Sequence, residues 1–246
     1  MRLYSDLAHW FHLLTDPAEY VEEAAEYVRI IRQTLPEART LLELGSGGGN
    51  NASHMKAAFH CTLSDLSPEM LALSGAINPE LEHIQGDMRS IRLGRTFDVV
   101  FIHDAISYLT TEADLRSAIE TAFVHTRPGG MAIITPDTRL EAFKPGIDSG
   151  GHDGADGRGL RYLMWWREPA PGSTEYDVDF ACLLREADGS VNVVHDHHVN
   201  GIFPEATWLR LLAEAGFEAT IEPVNIEDEP LITDYVAFVA KRPEVG

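Results

Sequence analysis

Cysteine is almost missing from the 246 residues: only Cys61 and Cys182 occur, far apart and outside any C-x-x-C spacing. That excludes a disulfide framework and a zinc ribbon, and it leads us to expect two reduced, packed thiols. Long apolar runs are missing as well, since no stretch approaches the about 18 uninterrupted apolar residues of a membrane helix. The first residues, Met-Arg-Leu-Tyr-Ser-Asp, contain no signal-like apolar segment. No membrane partner and a cytoplasmic location are expected. Positive charge is scarce, with 19 Lys and Arg against 39 Asp and Glu and a net charge of −20. A surface of that sign repels phosphate backbones and no basic stripe offsets it, so nucleic acid is not an expected partner. Small neutral or cationic ligands stay open, as does plain solubility or salt adaptation. What the chain does have is 44% hydrophobic residues, enough for the core of one α/β domain with an insertion.

The organising stretch runs from Thr40 to Asn51. A short apolar, β-prone run ends at a glycine cluster, and the helix-compatible segment Ala52 to Phe59 follows. This is a strand, a tight turn and a helix. Glycines 45, 47 and 49 can adopt positive φ and carry no Cβ, so a ligand can lie against the backbone amides. A dinucleotide fingerprint needs G-x-G-x-x-G, and here the sixth position is Asn50. The chain instead reads Glu43-x-Gly45-x-Gly47-x-Gly49. Asp65 ends a second short strand, 20 residues beyond Gly45, where a carboxylate can take two hydrogen bonds from a ribose diol. Ser67 and Pro68 then start a helix.

The E-x-G-x-G-x-G stretch resembles the first motif of the class I S-adenosylmethionine-dependent methyltransferases. Asp65-Leu-Ser-Pro-Glu-Met70 resembles the second, Gly86-Asp87-Met88 follows a third strand in the same register, and Asp104-Ala-Ile-Ser-Tyr108-Leu109 is similar to the fourth. Arg127-Pro-Gly-Gly130 before an apolar strand is also a habit of that family. The resemblance covers residues 40–136, and 204–241 more loosely. It implies S-adenosyl-L-methionine as cofactor, held by Tyr4, Glu43, Gly45, Ser46, Gly47, Asp65, Leu66, Met70, Asp87, Met88 and His103. In the family the first acid lies near the cofactor's amino group, the second meets the ribose, and Asp87 meets the adenine amino group.

Strand and helix alternate from 40 to 136, the mark of a doubly wound, Rossmann-like α/β sheet. The expected fold has seven strands, with an antiparallel β excursion after the fifth. The organisation read from the chain is an N-terminal flap and helix (1–36), a cofactor-binding core (37–136), an antiparallel substrate-side lid (137–200), and a C-terminal helix with strands completing the core (201–246). The first helix is expected from Ala18 to Leu35, capped by Asp16, with Val21, Ala24, Ala25, Val28, Ile31 and Leu35 on its apolar face. Lys144 to Gly159 reads as a glycine-rich loop, followed by three antiparallel strands near 160–166, 176–184 and 191–200. The last helix runs to Gly216. Two strands, near 217–226 and 231–240, flank the acidic turn Glu227-Asp-Glu229.

The chemistry implied is displacement at a sulfonium methyl by a nitrogen or oxygen of a small molecule such as an amine, amino sugar or secondary metabolite. The protein then mainly aligns the acceptor and excludes water. Asp104, Asp137 and His197 are the candidate bases, Tyr4 and Tyr108 orienting groups, and Tyr108, Trp165 and Trp166 candidate substrate contacts. Trp165 and Trp166 point to opposite faces of a strand, so one packs while the other can face substrate. His195-Asp-His197-His198 places His195 and His197 on one face without a third ligand at metal spacing, so no metal is expected. The family often shows a Tyr-Asp pair in the N-terminal segment. Here Phe11-His12 stands at the similar place, which moves attention to Tyr4. A homodimer is left open. Two alternatives also stay open: a non-catalytic S-adenosylmethionine or S-adenosylhomocysteine binder acting as regulator or scaffold, and a dinucleotide-dependent oxidoreductase.

Overall fold

The computed structural model describes residues 1–226 and 235–244. Three short parallel strands, β1 (Thr40–Leu44), β2 (His60–Asp65) and β3 (Glu82–Gln85), build one half of the large sheet. The other half comes from β4 (Phe97–Ile102), β5 (Thr126–Ile134), β10 (Glu218–Pro223) and β11 (Val236–Lys241). Their order is β10-β11-β5-β4-β1-β2-β3, with β11 antiparallel to both neighbours and the other pairs parallel. The order reverses between β1 and β4, which opens a crevice at the carboxyl ends of those two strands. Helices cover both faces, so Leu41, Leu42, Leu44 and Val99 to Ile102 are wholly buried and the strands read as continuous apolar runs.

The helix starts follow local chemistry. Asp16 accepts the Ala18 amide, Ser67 the Met70 amide and Thr111 the Asp114 amide, each satisfying a donor that the helix itself cannot. The first helix departs from expectation in two ways. A 3₁₀ turn (Pro17–Tyr20) precedes α2 (Val21–Thr34), and the buried face carries Ala24, Tyr27, Ile30 and Ile31 while Val21 is exposed. The cause is Tyr27, whose ring packs 4.9 Å from that of Phe101 and turns the helix so that Glu23 also faces the crevice. The Pro-Gly-Gly at 128–130 lies inside β5, where the pairing with β4 shifts register, and does not form a turn ahead of it. The acidic turn expected at 227–229 lies outside the described residues.

Between β5 and α6 (Glu205–Ala215) stands a second sheet of four antiparallel strands, one more than expected: β6 (Gly146–Gly150), β7 (Gly159–Trp166), β8 (Glu175–Arg185) and β9 (Val191–Gly201). The extra strand lies within the stretch read as a glycine-rich loop. Its terminal glycines are there because rings lie over them. A Cβ on Gly146 would come within 2.7 Å of the Trp166 ring and one on Gly150 within 3.0 Å of the Tyr162 hydroxyl. The inner face of this sheet packs Leu160, Cys182 and Leu184 on Leu7 and Trp10 of the N-terminal segment. Both cysteines are free and buried.

Candidate active site

The glycine turn is shaped by three left-handed residues, with φ of +77° at Gly45, +52° at Gly47 and +78° at Gly49. A side chain at Gly45 would collide with Ala105 and reach within 2.7 Å of Met88 Cε. Asp65 holds the turn from the neighbouring strand: Oδ2 accepts the Gly47 amide and Oδ1 the Ser67 amide, both at 2.8 Å. Its outward lone pairs can still take a diol. Burial raises its pKa. Leu66, next along, is an apolar side chain left 65% exposed beside these groups, and Met70 is buried beneath Gly47. Asp87 is gripped by the Arg89 guanidinium, which keeps its carboxyl below the usual range.

Several buried polar atoms around this turn have no partner: Glu43 Oε2, Ser46 Oγ and Ser64 Oγ. A fold seldom leaves such a cluster unsatisfied without a ligand to complete it. Glu43 is the sharpest case, because burial pushes its carboxyl up to about 8 despite the nearby His103 charge. A cation placed there would restore its ionised form.

At the end of β4, His103 pairs through Nε2 with Glu23 of α2 and through Nδ1 with Asp104 at 3.3 Å. Burial alone would lower its pKa, but Asp104 and Glu23 outweigh burial and raise it to about 10, so it is an imidazolium at neutral pH. Asp104 keeps 45% of its side-chain surface open to solvent, and desolvation of the remainder still raises its pKa. Its carboxyl is hydrogen-bonded to that of Asp137, and the two cannot both be charged at low cost. Burial and then the Asp104 charge push Asp137 well above the ordinary value. Both shifts favour a proton held between the two carboxyls. Asn200 Nδ2 donates to Asp137 Oδ2 at 3.1 Å and the Tyr235 hydroxyl to Asp104 Oδ1 at 3.1 Å.

The N-terminal segment lies across the turn. His12 Nε2 stands 3.1 Å from the Gly48 carbonyl, Phe11 packs against the same glycine, and Ser67 Oγ donates to the Tyr4 carbonyl at 2.7 Å. Tyr4 meets Tyr108 hydroxyl to hydroxyl at 2.6 Å. Phe11 and His12 thus sit on the glycine turn even though they depart from the Tyr-Asp pattern.

Not every expected residue arrives there. His197 lies on the outer face of β9 with a 43% exposed side chain, paired with Asp177 and Asp179, and it is not a candidate base. Its neighbour His198 points inward and is buried. Alternation along the strand decides this, since successive side chains face opposite ways. Trp165 is also on the outer face, against Arg167. Trp166 is on the inner face, but it packs with Tyr176, Val178 and Ile202 and donates to the Lys144 carbonyl at 2.7 Å. Its contacts are with the second sheet's own cluster. Glu23, Asn200, Tyr235 and His198 are not among the site residues expected from the sequence. Among the described residues no group of three His, Cys, Asp or Glu is disposed to hold a metal ion, and no helix is long and apolar enough to cross a membrane.

Residues 41–130 match the family model described as a methyltransferase domain. A protein of Streptomyces venezuelae, dTDP-3-amino-3,4,6-trideoxy-alpha-D-glucopyranose N,N-dimethyltransferase, is 32% identical over 203 residues, 80% of this chain and 83% of its own length. The chain belongs to the class I S-adenosylmethionine-dependent methyltransferases. A second methyltransferase, dTDP-3-amino-3,6-dideoxy-alpha-D-glucopyranose N,N-dimethyltransferase of Streptomyces fradiae, is 33% identical over 87% of this chain and 84% of its own. An amino pentose methyltransferase from Micromonospora echinaspora, solved with S-adenosylmethionine bound, superposes with a TM-score of 0.76 at 27% identity and covers 91% of each chain. For this methyltransferase the cofactor is S-adenosylmethionine, and the unpartnered Glu43, the cradle at Gly45 and the open Asp65 suit it chemically. The dinucleotide alternative falls away.

Proposed function

We propose that this methyltransferase adds methyl groups, twice in succession, to the amino nitrogen of a nucleotide-linked deoxy amino sugar. One observation carries the reading: the hydrogen-bonded carboxyl pair Asp104–Asp137, held by Asn200 and Tyr235 at the crevice beside the glycine turn. A neutral amine gains positive charge as it attacks a methyl carbon, and a fixed, low-dielectric anionic pair stabilises that charge where it develops. S-adenosylmethionine supplies the electrophilic methyl and the departing thioether. Glu43 and the glycine turn would hold its amino acid end, Asp65 its ribose, and Leu66, Asp87 and Met88 its adenine. Tyr4 and Tyr108 close the crevice against water, and the inner face of the second sheet supplies Asn200. The two Streptomyces relatives, similar over most of their length, support a sugar amine as the acceptor.

The test is incubation with S-adenosylmethionine and dTDP-3-amino-3,6-dideoxy-α-D-glucopyranose, followed by mass spectrometry. The expected product gains two methyl groups, with one S-adenosylhomocysteine formed per methyl. Methylation of a carboxylic acid in a parallel acceptor panel, with no amino sugar modified, would refute the reading.

A further inference from the structure

Asp196 and His198, both buried on the inner face of β9, have no part in the reading above. His198 Nε2 stands 3.0 Å from Asp196 Oδ2, and His198 Nδ1 stands 3.1 Å from the Tyr108 hydroxyl. That hydroxyl meets Tyr4 at 2.6 Å. Asp196 Oδ2 also accepts the Leu3 amide at 2.9 Å, which ties the far end of the array to the segment that carries Tyr4.

Chemistry gives each link a single direction. An ionised carboxylate can only accept hydrogen bonds. Burial opposes ionisation of Asp196, but the Leu3 amide and His198 outweigh it and hold the carboxyl below its usual range. His198, kept neutral by burial, must then carry its proton on Nε2, which leaves Nδ1 a lone pair. The Tyr108 hydroxyl donates to that lone pair and accepts the Tyr4 hydroxyl. The Tyr4 oxygen retains its lone pairs and has no other hydrogen-bond partner among the described residues. A phenol able to donate or accept has been made an acceptor only, in the region shared with Asp65, Asp104 and Asp137.

We infer that Asp196 and His198 are positioning residues that, through Tyr108, set the Tyr4 hydroxyl as the hydrogen-bond acceptor for an N–H of the methyl-accepting amine. This rests on the amine reading above. With one N–H given to Tyr4, the nitrogen lone pair stays free and forms the new N–C bond. The C–S pair departs with sulfur, the positive charge falls on nitrogen, and its proton leaves to solvent after transfer. Primary and secondary amines offer such an N–H. A neutral tertiary amine offers none, so the array favours a stop after two transfers.

Two measurements test the array separately. In histidine-15N NMR of the intact protein, with His198 assigned by the His198→Gln variant, the Nε2-protonated tautomer is expected, and Asp196→Asn should erode that preference. A proton on Nδ1 in the wild type overturns the array whatever the substrate is. In steady-state kinetics with S-adenosylmethionine and dTDP-3-amino-3,6-dideoxy-α-D-glucopyranose, Tyr108→Phe keeps the ring but breaks the chain. Its kcat should fall by about a hundredfold, as expected of a misaimed acceptor, with an unchanged KM for S-adenosylmethionine. A kcat in Tyr108→Phe equal to that of an active wild type sinks the positioning role. If the wild type methylates no amino sugar, the substrate reading has failed, and the tautomer still decides the array.

Discussion

The two sheets bury their strands in different ways. In the seven-stranded sheet β1 and β4 are enclosed on both faces, so polar chemistry is confined to the strand ends: Glu43, Asp65 and the His103–Asp104 step. In the four-stranded sheet only one face is covered. Asp196, His198 and Asn200 turn inward, while Val193, 74% exposed, and His195 and His197 turn outward. A site on a parallel core is placed by where strands stop. A site on a half-covered antiparallel sheet is placed by parity, and a shift of one residue would exchange His198 for His197.

The strongest way to break the parallel half is Gly45→Val. A β-branched residue at φ +77° would collide with Ala105 and Met88, so stability should drop by about 2–5 kcal/mol. Calorimetric titration should find S-adenosylmethionine binding lost, and retained binding would mean that the close approach is not needed.

Next in size is a pH effect on the same half. Burial holds folded Glu43 protonated up to about 8, whereas the unfolded side chain ionises near its ordinary value of about 4.3. The folded state therefore binds the extra proton within that window. Stability of the ligand-free protein should fall as pH rises through it, by at most about 1.4 kcal/mol per pH unit. The raised His103, protonated in the fold up to about 10, acts in the same direction at higher pH. Melting curves across pH should be flatter for Glu43→Gln, and parallel curves for variant and wild type would contradict the assignment.

The two tryptophans sharpen the contrast within the second sheet. Trp166→Ala removes an inner ring packed with Tyr176 and Val178 and should cost about 2 kcal/mol. Trp165→Ala removes a ring 48% exposed on the outer face, with Arg167 over it, and should cost about 0.5 kcal/mol. Equal losses by denaturant titration would erase the distinction between the faces. The smallest effect belongs to His197→Ala, with turnover unchanged and stability within about 0.5 kcal/mol of wild type.

The glycine turn and Asp65 were legible in the chain because their geometry is local: positive-φ glycines, a strand end, and a cap at Ser67 follow one another within a few turns of backbone. Glu23 was not legible. Its partner His103 lies on another element, and the orientation of α2 that joins them depends on Tyr27 packing against Phe101. Strand β6 was hidden because glycines signal loops unless a ring from a neighbouring strand fills their place, as Trp166 and Tyr162 do. His198 was passed over for His197 because composition does not say which face of an isolated strand will be covered.

By itself the sequence determined the doubly wound core, its cofactor turn and the acids at the strand ends, since period, turn chemistry and spacing act over short stretches of chain. Only the tertiary structure decided that Asp104 and Asp137 meet in a hydrogen bond, that His103 is charged between them and Glu23, and that Asp196 and His198 stand behind Tyr108 and Tyr4. Those properties come from desolvation and from hydrogen-bond direction between groups far apart in the chain. Neither exists until the sheets have packed.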